Sequence, residues 1–141
     1  MKIVVIDGQG GRLGSSLVAA LKKKNLDYPI YAIGTNSIAT AAMLKSGADF
    51  GATGENPVRV ACSDAEKEDV IMGPIGIVSA DSLLGEITPG MAVAIGRSKG
   101  TKILIPTNCC KNIVVGIKDA SLSELVNEAV EEVVSLRSSN Q

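Results

Sequence analysis

The sequence predicts an α/β domain of three layers, with helices on both faces of a mostly parallel sheet of five to six strands. Three observations carry this reading. Apolar, strand-like runs alternate with stretches of helical periodicity. The first run leads through a glycine-rich turn into an amphipathic stretch, the order expected of a βαβ start. The composition, 45% hydrophobic and 21% charged over 141 residues, is that of one ordinary globular domain. Residues 1–137 are assigned to a single Rossmann-like domain, and 138–141 to a frayed tail. The expected order of the core strands is 3-2-1-4-5, with a sixth strand at an edge and right-handed crossovers throughout.

Residues 2–6 read as a buried first strand. Residues 11–24 follow as a helix, with Leu13, Leu17, Val18 and Leu21 on one face. It ends in Lys22-Lys23-Lys24, where cations complement the helix dipole. Residues 30–34 are the second strand, and 38–46 a short helix stopped by Gly47. Residues 58–62, Val-Arg-Val-Ala-Cys, read as the third strand, and 69–73 as the fourth. Residues 74–87 look like a buried loop or short helix. Thr88-Pro89 is a helix start, with Thr as cap and Pro in the first turn. Residues 102–106 are the fifth strand and 113–117 the sixth. Ser121-Leu122-Ser123-Glu124 is a capping box. Behind it, Leu125, Val126, Ala129, Val130 and Val133 form the apolar stripe of a last helix.

Composition excludes several function classes. The chain has no histidine, so no Ser-His-Asp triad, Cys-His pair or histidine metal ligand exists. A net charge of −1 and three aromatic residues offer neither a basic footprint nor stacking platforms for nucleic acid. No apolar run approaches the roughly 18 residues of a membrane span. Three cysteines do not make a disulfide framework, and the expected location is the cytoplasm.

The strongest chemical signal is Asp7-Gly8-Gln9-Gly10-Gly11-Arg12-Leu13-Gly14. A glycine-rich turn between strand and helix lets backbone N–H groups approach a phosphate, and the helix dipole adds to the attraction. Gly8, Gly11 and Gly14 fit G-x-x-G-x-x-G, a spacing found in some dinucleotide-binding dehydrogenases. The expected phosphate contacts are Gly8, Gln9, Gly10, Gly11, Arg12 and Gly14. A small phosphate-bearing ligand is the expected partner, with NAD or NADP as the candidate cofactors. The second strand, however, ends Gly34-Thr35-Asn36-Ser37, with no acid for a ribose. Thr35 and Asn36 are the polar groups left to serve there.

Pro74 and Gly76 follow the fourth strand and are expected beside the glycine loop. Asp81 and Glu86, in apolar surroundings, are the candidate acid/base groups. Asn108 is a candidate ligand contact, and Cys109 a candidate nucleophile that would need a depressed pKa. Glu55, in the turn Thr53-Gly54-Glu55-Asn56, reads as solvated or as a ligand contact. A catalytic Tyr-x-x-x-Lys pair is absent: Tyr28 is followed four residues on by Ala32, and Tyr31 by Thr35.

Further segments are Gly34-Thr35-Asn36-Ser37-Ile38-Ala39-Thr40, Gly51-Ala52-Thr53-Gly54-Glu55-Asn56 and Gly73-Pro74-Ile75-Gly76-Ile77-Val78. With the glycine loop and Ala80-Asp81-Ser82-Leu83-Leu84-Gly85-Glu86-Ile87-Thr88-Pro89, they resemble a bacterial family known only as domain of unknown function 3842. The resemblance covers nearly the whole chain. It implies a small stand-alone protein and supplies no activity.

The expected function is a non-catalytic nucleotide-binding or sensor module. The alternatives are a small oxidoreductase or transferase using Asp81 or Glu86, and a structural partner protein without a ligand. A homodimer that completes its site across an interface is also compatible with so small a domain.

Overall fold

The computed structural model describes residues 1–107 and 112–140. Five strands form one parallel sheet: β1 (Ile3–Asp7), β2 (Ile30–Gly34), β3 (Phe50–Thr53), β4 (Val70–Pro74) and β5 (Thr101–Ile105). Their order is β3-β2-β1-β4-β5; it matches the expected 3-2-1-4-5 for strands 1, 2, 4 and 5, with a different segment as the third strand. The helices are α1 (Arg12–Lys23), α2 (Ser37–Lys45), α3 (Glu55–Asp64), α4 (Pro89–Arg97) and α5 (Leu122–Ser139). A 3-10 turn, Ile75–Val78, follows β4. Among the described residues, no helix is long and apolar enough to cross a membrane.

β1 is the centre of the sheet and is buried along its whole length. Its side chains alternate between faces, as a strand requires. Ile3 and Val5 join Leu13, Leu17 and Leu21 of α1 and Val126, Val130 and Val133 of α5 in one core. Val4 and Ile6 join Val58 and Cys62 of α3 and Met91 and Ile95 of α4 in the other. Each such side chain, fully buried, contributes about 1.5–3 kcal/mol. Two cores back to back hold β1 in register with β2 (Asp7 opposite Gly34) and with β4 (Val5 opposite Met72). That register places the carboxyl ends of all three strands on one edge of the domain.

Three elements differ from the sequence reading. Residues 58–62 belong to helix α3, not to a strand. Alternating Val-Arg-Val mimics a strand, but Val58 and Cys62, four apart, are the buried pair, and Arg59 and Val60 face outward. Pro57 fits a first helical turn, where its missing N–H costs nothing. The third strand is instead Phe50–Thr53, four exposed residues at the sheet edge with almost no hydrophobic signature. Residues 113–117 form no strand. Ile113 and Val115 are 94% and 92% exposed, and β-branched residues hold a strand only when they have a face to pack. The last helix, α5, extends to Ser139.

Two of the three side-chain caps, Thr88 and Ser121, are those the sequence predicts; Asn36 is not. Asn36, Thr88 and Ser121 cap α2, α4 and α5, accepting from the N–H of Ala39, Met91 and Glu124. Helix α1 differs. It starts from Gly11 at φ 73°, without a side-chain cap or an acidic residue in its first turn.

Candidate functional site

The carboxyl ends of β1, β2 and β4 meet where the strand order reverses, the position at which open α/β sheets bind ligands. The loop leaving β1 is organised around Asp7. Its buried carboxylate accepts from the N–H of Gly8 at 2.8 Å and of Gly14 at 2.7 Å. The N–H of Gly11 returns to the Gly8 carbonyl at 2.9 Å. The N–H of Gln9 donates to both oxygens of Glu86, at 3.1 Å each.

Three N–H groups remain. Among the described residues, those of Gly10, Arg12 and Leu13 have no hydrogen-bond partner. All three residues line a hollow of about 210 Å³, floored by residues 7–13 and walled by Pro74, Leu83, Thr107 and Leu122. The Thr107 hydroxyl is buried there without a partner among the described residues. Arg12 is exposed on the rim and makes no ion pair among the described residues. Typical small-molecule pockets run from about 300 Å³ upward, so the hollow encloses a group of phosphate size and not a whole dinucleotide. Size does not mark the site: hollows of 330, 440 and 500 Å³ lie along α3 and between pairs of helices. None of them is lined by a glycine of the loop.

Each glycine of the loop has its own reason. A Cβ on Gly8 would lie 2.7 Å from Thr35 Oγ1. One on Gly14 would lie 2.5 Å from Met43 Sδ, so this glycine sets how closely α1 approaches the sheet and α2. Gly10 is different: a Cβ there meets nothing within 4 Å. Its bare backbone faces open space, which is what close approach of a ligand needs.

Of the predicted residues, Gly8, Gln9, Gly10, Gly11, Arg12 and Pro74 line the hollow. Gly14 lies beneath it as packing. Thr35 and Asn36 stand beside it and bind Glu86, donating from Oγ1 at 2.8 Å and Nδ2 at 2.6 Å. Gly76 is not part of the hollow: it is buried in the 3-10 turn, where its carbonyl accepts from Ser82. Asp81 is exposed and lies outside the hollow. Asn108 and Cys109 lie outside the described residues. Glu55 accepts from the hydroxyl of Thr88 and so ties the start of α3 to the start of α4. The sequence reading assigned no role to Asp7, although an acid between a buried strand and a glycine turn was the available signal.

The two carboxylates differ electrostatically. Burial raises the Asp7 carboxyl above its usual range; the N–H groups of Gly14 and Gly8 pull it partly back, and the charge of Glu86 pushes it further up. Burial also raises Glu86, but donors from Thr35, Asn36 and Gln9 outweigh it and leave the group below its usual range. Their stability contributions therefore run in opposite directions. That of Glu86 is complete above its ordinary value of 4.5 and is lost as the pH falls. That of Asp7 declines as the pH rises from 3.8 through its raised value. Glu86→Gln is expected to lower the pKa of Asp7, because it removes a like charge. A carboxyl-carbon NMR titration reads this directly, and an unchanged or higher Asp7 value would rule out the coupling.

A model of the family described as Domain of unknown function (DUF3842) matches residues 2–138. No curated protein and no solved structure matches the chain.

Proposed function

The chain belongs to the DUF3842 family, and we propose that it is a small nucleotide-binding protein that holds a phosphate on its glycine-rich loop. It acts as a binding or sensor module and not as a catalyst. The observation that carries the reading is the set of N–H groups of Gly10, Arg12 and Leu13, without partners among the described residues, on three residues that line the hollow at the switch point. Three N–H donors at a helix N-terminus form an anion site, and exposed Arg12 on its rim adds a positive charge. Asp7 and Glu86 already take the N–H groups of Gly8, Gln9 and Gly14. The loop thus has room for one phosphate, in one place.

The same contacts weigh against acid/base chemistry. Glu86 is held ionised by three donors, so it is a poor proton donor near neutral pH. Asp7 is enclosed by two N–H groups. The test is isothermal titration with NAD, NADP, ATP, GMP and coenzyme A. Binding of at least one in the micromolar range is expected, and no binding of any at millimolar concentration would sink the proposal.

A further inference from the structure

We propose that Glu86 reads the sugar of the bound nucleotide and restricts the site to ligands with free ribose hydroxyls. This rests on the nucleotide reading above. In a doubly wound sheet, the group at the end of the second strand selects the sugar: a carboxylate accepts from ribose hydroxyls and repels a 2′-phosphate. The sequence after β2 carries no acid, only Thr35-Asn36-Ser37. The fold brings one there from 50 residues further along the chain.

The connection from β4 to α4 makes this possible. Leu83, Leu84 and Gly85 have φ of 55°, 56° and 87°, a run of left-handed residues that turns the chain back on itself. Such a conformation costs about 1–2 kcal/mol at each non-glycine residue. It brings Glu86 over Gly8, whose missing side chain leaves room for Thr35 and Leu83 beside it: a Cβ would lie 2.7 Å from Thr35 Oγ1 and 3.1 Å from Leu83. Oε1 then accepts from Thr35 Oγ1 and Asn36 Nδ2, and the Gln9 N–H is shared between Oε1 and Oε2 at 3.1 Å each. Oε2 shares only the Gln9 N–H among the described residues. A carboxylate oxygen accepts about two hydrogen bonds, so Oε2 keeps capacity for a hydroxyl.

The result is a charged acceptor with a fixed position. Its neighbour in the loop, one residue beyond Gln9, is Gly10, with its open N–H. A hydroxyl acceptor and a phosphate donor set side by side match a sugar and the phosphate joined to it. The Asn36 side chain, which also donates to the Gln9 carbonyl at 2.9 Å, ties the two halves together. A carboxylate that served only to fasten the loop would show no preference between sugars.

The test is calorimetric titration of the full chain with two ligand pairs, NAD against NADP and ATP against 2′-deoxy-ATP, in the wild type and in Glu86→Gln. The wild type is expected to bind the free-hydroxyl member of a pair at least about tenfold more tightly. In Glu86→Gln the gap is expected to close to within about threefold. Equal affinities within both pairs for the wild type would overturn the inference and leave the nucleotide reading intact. So would a gap that survives in Glu86→Gln. Failure of all four nucleotides to bind the wild type would overturn both. The wild-type comparison stands whether or not the variant folds.

Discussion

Asp7→Ala is expected to lower the stability of the domain by about 3 kcal/mol, read as a shift in the urea midpoint at unchanged slope. Asp7 is 5% exposed, and its carboxylate is the partner of two N–H groups, those of Gly8 and Gly14. A buried donor left without a partner costs about 1–3 kcal/mol, and the substitution leaves two. Relief of the desolvation that raises the Asp7 pKa offsets part of the loss. Asp7→Asn is expected to recover only part, because the amide has one acceptor oxygen and turns its NH₂ toward the second N–H. A loss below about 1 kcal/mol for Asp7→Ala would mean that the loop is not organised around this carboxylate.

Gly10→Val is expected to abolish nucleotide binding and leave the fold intact. The two effects separate because Gly10 is exposed, lies outside the left-handed region and has open space where a Cβ would stand. Stability should stay within about 0.5 kcal/mol of the wild type. Binding should fall at least about 100-fold, since the branched side chain denies a phosphate its approach to charge-assisted hydrogen bonds. The neighbouring position is a control with the opposite pattern. Gly11 has φ 73° and would set a Cβ 2.8 Å from the Ala39 backbone, so Gly11→Val is expected to destabilise the fold itself. Thermal melting beside calorimetry distinguishes the two, and a Gly10→Val variant that binds nucleotide like the wild type would contradict the assignment.

What the sequence made legible follows from how local the governing interactions are. The stripe Leu13-Leu17-Leu21, the cap Thr88-Pro89 and the cap Ser121 with Glu124 are short-range signals, and the structure has all three. The strand at Phe50–Thr53 was hidden because an exposed edge strand carries little hydrophobic contrast. Val58-Arg59-Val60 misled for the converse reason: local alternation fits a strand, but packing of Val58 and Cys62 against α4 and the sheet decides for a helix. In the site, the glycine loop was readable from spacing alone. The position of Glu86 was not. It meets Gln9 across 77 residues and gets there through a left-handed turn at Leu83 and Leu84, which no propensity scale favours.

The most direct measurement is an amide NMR titration of the full chain, following the N–H resonances of the loop as ATP and NAD are added in turn. The account predicts saturable shifts centred on Gly10, Arg12 and Leu13, with smaller changes at Gly8 and Gly14, whose N–H groups stay on Asp7. No shift at Gly10, Arg12 and Leu13 with either nucleotide at millimolar concentration, or saturable shifts confined to another face of the domain, would contradict it.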